Sequence, residues 1–296
     1  MKIKRSPGEV TFDVLNIAFM SFVLFITLYP FWFVIVMSFN EGNDAARGGI
    51  YFWPRTFSLL NFQAVFRNPA ILTGFQVTIL RTIVGTIVHV LFTGMVAYSL
   101  SHSKLIFRKF YMIVGIITMF FGSGLIPYYL LIRNLGLRNT FWVYIFPAMF
   151  SFYDMIIMMT FFRHLPSEMS ESAKIDGAGY WRIFISIIIP LSAPIFATMS
   201  LFAGVYHWND YFTAVLYIDK KELLPIQTIL FKIIAESQAS TILSQVNIPG
   251  VIARRKLTSE SVKMATMVIT TIPIICVYPF LQKYFVKGML IGSVKG

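Results

Sequence analysis

Apolar residues in this chain come in blocks of twenty or more, separated by short polar segments, with no alternation of apolar and polar positions. A helix needs about 20 apolar residues to cross about 30 Å of hydrocarbon. Six blocks meet that length, at 14–38, 71–100, 110–132, 141–162, 183–206 and 264–282. A backbone in lipid must satisfy its own hydrogen bonds, and the period-two pattern of a barrel is absent, so the blocks predict helices. The expected fold class is an all-α membrane protein with six transmembrane helices, forming a single transmembrane domain over residues 1–296. Several blocks contain Pro or Gly, which membrane helices tolerate. The first follows MKIKR but is too long for a signal peptide. It runs through Tyr29, Pro30 and Trp32 without a small-x-small cleavage site, so it reads as retained.

The polar segments carry more specific information. Between the fourth and fifth blocks, residues 163–182 predict a short helix, a bend and a second helix. Pro166 can begin the first helix, and Glu168 and Glu171 suit the positive end of its dipole. Gly177 can end it, because glycine accepts a left-handed backbone without steric cost. Trp181 and Arg182 then lead into the fifth block. The plain alternative is a solvated connector whose acids keep it wet. In the loop at 217–263, Pro225 followed by IQTILFKII predicts a short amphipathic helix. Asn247, Pro249 and Gly250 mark a turn before the basic cluster Arg254–Lys256.

Composition narrows the class. Hydrophobic residues make up 57% of the chain and charged ones 13%, which excludes a soluble domain. The net charge of +12 fits anionic lipid as readily as nucleic acid, and no nucleic-acid-binding pattern appears. The one cysteine, Cys276, excludes an internal disulfide and reads as a small packing residue. Lys and Arg near the block ends are evenly divided between the two faces. Those on one face lie in longer loops, where charge constrains topology less. The tendency favours the N-terminus, the 101–109 link, the 163–182 loop and the C-terminus as cytoplasmic, and a resemblance carried by the 163–182 loop settles that orientation.

The pattern at 171–190, Glu171-Ser172-Ala173, three residues, Gly177, then I-x-I-P ending at Pro190, resembles the EAA loop of ABC-importer permeases. Ser172 and Ile189 depart slightly from that motif. AYSLSHSKLIFRKF (97–110), GLIPYYLLIRNLGLRNTFWVYIFP (124–147), HWNDYF (207–212) and YPFLQKYFVKGMLIGSVKG (278–296) extend the likeness. They resemble the carbohydrate-uptake branch of these binding-protein-dependent inner-membrane components, among lipoprotein-associated, maltose- and alginate-type oligosaccharide permeases. The resemblance covers residues 60–296 strongly and the first sixty loosely. It implies a type I importer permease whose coupling-helix loop docks an ATPase through Glu171, Ser172, Ala173, Asp176 and Gly177. It also implies a second homologous permease subunit, two ATPase subunits carrying ATP and Mg, an extracytoplasmic solute-binding protein and a saccharide substrate, in a bacterial plasma membrane. The tail Gly292, Ser293, Val294, Lys295 and Gly296 resembles the end of the maltose permease, which reaches between ATPase subunits. Read without that likeness, residues 283–296 look too polar to span and too flexible to fold alone.

The chain has no G-x-x-x-x-G-K-[ST] phosphate loop, so this chain binds no cofactor and is not an enzyme; hydrolysis falls to another chain. Its four histidines show no metal-ligand spacing, and no nucleophile–base pair can be inferred. Arg81, His89, Asp154, His207 and Asp210 lie inside the apolar blocks, where ionisable groups are costly. One reading sets Tyr153, Asp154, Trp208, Asn209, Asp210 and Tyr211 along a sugar pathway, aromatic faces meeting sugar rings and polar groups meeting hydroxyls. The other pairs Arg81 with an acid between helices. Other functions remain open at this point, namely a permease for amino acids or peptides, or an ion-coupled secondary transporter using Asp154 or Asp210.

Overall fold

The structure, a computed structural model, describes residues 6–45, 47–245 and 259–293. The N-terminal lysines and Arg5, the turn at Asn247–Gly250, the Arg254–Lys256 cluster and Val294, Lys295 and Gly296 lie outside the described residues. Among those described, the regular elements are all helical, and the one extended contact is an isolated bridge between Asn40 and Phe57. They fall into two compact units. One combines the chain up to Asn68 with Lys232–Thr271, and the other combines Pro69–Phe231 with the chain from Ile272 onward.

In the first unit, α1 (Pro7–Ser38) opens on a capping box: the Ser6 hydroxyl accepts from the Glu9 N–H, and the Glu9 carboxylate accepts from the Ser6 N–H. Most of its apolar side chains are exposed, as lipid or a partner helix would require. After α2 (Gly42–Ala45) the chain doubles back through a buried amide cluster. The Asn61 amide donates to the Ser38 and Asn40 carbonyls, and Asn40 donates to Asp44, which also accepts from Arg55. Trp32 donates to the Phe52 carbonyl, holding the loop against α1 ahead of α3 (Leu60–Arg67).

The second unit is organised around α4 (Pro69–Ser101). It is followed by α5 (Arg108–Phe120), α6 (Leu125–Asn134), a 3-10 turn at Phe141–Tyr144 and α7 (Phe152–Arg163). Then come α8 (Ser167–Ile175), α9 (Tyr180–Ile183), a π turn at Phe184–Ile188, α10 (Ile189–Leu191), α11 (Ala193–Asn209) and α12 (Phe212–Tyr217). The chain continues with α13 (Ile226–Gln245) and α14 (Ser259–Ser293). Helices α7 and α11 pack on α4 around Met155, Met158, Ile183, Phe184, Phe196 and Met199. In lipid such packing rests on dispersion and close approach rather than on escape from water. Gly94 permits that approach, since a Cβ there would press on Phe196 and Met158 at 3.1–3.2 Å.

Among the described residues, three helices are long and apolar enough to cross a membrane, Pro7–Ser38, Pro69–Ser101 and Glu260–Val277, or five if each of two bent pairs is one span. The described residues thus give three to five of the six spans expected from the apolar blocks, and two of those blocks are bent. The 110–132 block breaks by 117° between α5 and α6, where Gly122 and a left-handed Gly124 (φ +80°) interrupt it. The 183–206 block breaks by 84° at Ser192. Pro190 has no N–H to return to the preceding turn, which widens into the π turn, and Pro194 starts a fresh helix. The 141–162 block is helical in its second half, and the 12 residues of α7 span only about 18 Å. Two other segments are more ordered than the sequence reading had them: α13 runs well beyond the short helix expected after Pro225, and α14 continues as helix to Ser293 through the presumed flexible tail.

Candidate functional site

The 163–182 loop forms as the sequence predicts. Pro166 precedes the first turn of α8, Glu168 sits in that turn, and none of the helix is buried. The helix ends in a Schellman motif, with the Ala178 N–H donating to the Ala173 carbonyl at 2.9 Å and the Gly177 N–H to Lys174 at 3.0 Å. Gly177 supplies the left-handed residue (φ +81°) this motif needs, and the space around it is open. Ala173 and Ala178, the two residues joined by the first of these bonds, are half-buried against the Phe162–Phe184–Phe196 cluster. Small side chains at those positions thus seat the loop on the core. Glu171, Ser172 and Asp176 point to solvent, and neither Glu168 nor Glu171 makes an ion pair among the described residues. Ile175 is 87% exposed and Trp181 65%, so the loop also presents bare apolar groups to water. Between it and the link after α4 opens a cleft of about 900 Å³, lined by Ser99, His102, Arg163, Glu171, Lys174 and Tyr180 among others.

A second polar constellation lies along α4. Thr78, Arg81, Gly85, His89 and Thr93 recur at helical spacing and are all buried. Arg81 donates through Nη2 to the Asp210 carbonyl, while its Nη1 lies 3.5 Å from the Asp210 carboxylate. Its guanidinium also sits 5.0 Å over the Tyr144 ring. Asp210 caps the start of α12 by accepting from the Thr213 N–H, so Arg81 grips the break between α11 and α12. Gly85 gives the His207 ring its place; a Cβ there would collide with it. One turn beyond Gly85, His89 places Nδ1 2.8 Å from the Ala148 carbonyl and Nε2 3.0 Å from the Asp154 carboxylate. The carbonyl requires a hydrogen on Nδ1, so a second proton is shared between Nε2 and the carboxylate. That bond ties α4 to the start of α7, where the Ser151 hydroxyl caps Asp154.

The residues expected along a sugar pathway are therefore spread over different surroundings. Asp210 belongs to the Arg81 cluster and Asp154 to the His89 pair. Trp208 is buried, and the Asn209 amide donates to the Val205 carbonyl of its own helix. Tyr211 stacks on Phe231 at 4.8 Å, and Tyr153 is 61% exposed. Gly292 and Ser293 lie in the last turn of α14. Sequence reasoning missed Tyr144 as the platform for Arg81 and Gly85 as the seat of His207. The recurrence of small or polar residues at 78, 81, 85, 89 and 93 was the available signal. It also missed His102 and Tyr180, which nothing but proximity in space singles out.

Comparison with known proteins finds relatives along nearly the whole chain. The family model for the binding-protein-dependent transport system inner membrane component matches residues 7–291. Protein LplC of Bacillus subtilis (strain 168) is 40% identical over 287 residues, covering 96% of this chain and 95% of that protein. The polygalacturonan/rhamnogalacturonan transport system permease protein YtcP of the same organism is 37% identical over 285 residues, covering 96% and 98%. Among solved structures, a chain of a bacterial ABC transporter involved in the import of the acidic polysaccharide alginate superposes with a TM-score of 0.85. It shares 27% sequence identity, over 96% of this chain and 100% of that one.

Proposed function

Because the chain belongs to the family of binding-protein-dependent transport system inner membrane components, we infer that it is the permease subunit of an ABC importer for a saccharide. The observation that carries the mechanism is the exposed α8, whose Glu168 and Glu171 make no ion pair among the described residues, ended by the left-handed Gly177 and seated on the core through Ala173 and Ala178. A soluble ATPase subunit docks there: Glu171 meets a basic group on it, the exposed Ile175 enters an apolar recess, and the turn at Gly177 sets the angle at which α9 leaves. ATP and Mg bind on two such subunits. A second homologous permease completes the pathway, and an extracytoplasmic binding protein delivers the sugar. The broken blocks together cross the bilayer six times, with both termini in the cytoplasm. The end of α14, including Gly292 and Ser293, reaches toward the ATPase pair together with Val294, Lys295 and Gly296.

The substrate is an oligosaccharide, and uronate-bearing ones come first for testing because two of the relatives are named for acidic polysaccharides. Uptake of labelled oligogalacturonides, alginate oligosaccharides and neutral oligosaccharides would be followed in cells with the genes for this chain and its partners. Uptake of at least one should require ATP and the binding protein and survive collapse of ion gradients by an ionophore. Uptake that stops with the ionophore while ATP is maintained would mean an ion-coupled transporter instead.

A further inference from the structure

A docked ATPase can drive only those helices to which the coupling loop is fastened, and a side chain just past the end of α4 lies directly against that loop. His102 lies just past the end of α4 with its ring edge-on to two others, Tyr98 at 4.7 Å and 79° and Tyr180 at 5.6 Å and 80°. Tyr180 opens α9 on the far side of the Gly177 bend, and the Lys174 ammonium of α8 sits 5.2 Å from its ring. Tyr98 in turn stacks on Phe184 at 5.3 Å and 29°, and Phe184 leads to Phe196 and Phe162 in the core. The series joins α8, α9, the tip of α4, α11 and α7 by ring contacts.

The imidazole is held in place. Its Nδ1 lies 2.8 Å from the Tyr98 carbonyl, which also accepts from the Ser101 hydroxyl at 2.6 Å. A carbonyl on that side requires the hydrogen on Nδ1, so rotation of the ring would break a bond as well as two ring contacts. The link beyond is braced too: Arg108 donates through Nε to the Leu100 carbonyl at 2.8 Å.

We propose that His102 is a positioning residue of the coupling loop, its ring clasping α9 to the end of α4 so that displacement of the loop moves α4. The proposal rests on the docking of an ATPase at α8 and adds where that motion goes. Through Arg81 the same helix grips the break between α11 and α12, and through His89 the start of α7, so a pull at Tyr180 reaches both along one rigid rod. Such coupling shows as a response at one end that depends on the clasp.

Three substitutions separate its parts. His102→Phe keeps the ring and loses the hydrogen bond, His102→Asn keeps a donor for the Tyr98 carbonyl and loses the ring, and His102→Ala loses both. Native complex, purified through a tag on this chain, would be compared with and without ATP plus vanadate by amide hydrogen exchange. In the wild type and His102→Phe, trapping should slow exchange by about ten-fold in both the 167–183 loop and the 98–108 link. In His102→Ala and His102→Asn the loop should still respond while the link's response falls below about two-fold. A link that responds fully in His102→Ala, or that is rescued by Asn and not by Phe, overturns the clasp and leaves docking intact. A loop that fails to respond in the wild type overturns docking, and the clasp with it.

Discussion

The acids of the 163–182 loop and those along α4 belong to the same chain and have opposite fates. Asp210 and Asp154 are matched inside the protein, by Arg81 and His89, on a helix whose polar face is buried. Glu168 and Glu171 stand on a helix with no buried residue and make no ion pair among the described residues. A charge in a low-dielectric interior must be paired where it lies, whereas a charge in water can wait for a partner. The contrast separates residues that hold the fold from residues that, on the proposed function, are offered to another chain.

Breaking the inner set should have the largest effect on the protein itself. Arg81→Leu strands Asp210 and removes the grip on the α11–α12 break, at a cost of about 3–5 kcal/mol. Thermal unfolding of the purified complex in detergent should show the loss, and adding Asp210→Leu should recover most of it. A stable Arg81→Leu complex that no longer takes up sugar would move Arg81 from scaffold to pathway and erase the contrast.

Glu171→Lys should do the reverse. The protein should unfold at its normal temperature while its hold on the ATPase weakens by about 2–5 kcal/mol, if the contact is desolvated. Pull-down of the ATPase from membranes reads the second quantity. Normal retention would return the loop to the status of a solvated connector.

Gly177→Val acts through geometry alone. Nothing lies near the missing Cβ, so the penalty is the left-handed backbone, about 1–3 kcal/mol for a β-branched residue. Uptake per assembled complex should fall for Val and less for Ala. Equal, wild-type uptake from both would mean the Schellman turn is dispensable for coupling.

The smallest effect is expected at Arg254, Arg255 and Lys256. Neutralising all three should reduce uptake more at low salt than at physiological salt, where their attraction is screened beyond about 8 Å. An unchanged salt dependence would leave them as plain loop charges.

The helix and bend of the 163–182 loop were legible because their signals are local: Pro166, two early acids and a glycine that ends a helix specify them without help from distant residues. The apolar blocks were legible as membrane matter but not as straight rods. Length and hydropathy count residues, while Gly124, Pro190 and Pro194 decide where the backbone bends. Residues 283–293 misled in the other direction, since their lysines and glycines read as a frayed end whereas α14 carries them as helix. In the inner site, the apposition of Arg81 and Asp210 was foreseeable as a need for pairing. Its partner could not be named, because 129 positions separate the two residues and only the packing of α11 on α4 brings them together.

The claim that α8 is a surface made for an ATPase is tested most directly at Ile175, the bare apolar residue on its last turn. A photo-crosslinking amino acid placed there, in membranes containing the assembled complex, should capture a polypeptide that mass spectrometry identifies as carrying the G-x-x-x-x-G-K-[ST] phosphate loop. Crosslinks confined to lipid or to the permease chains would contradict the account.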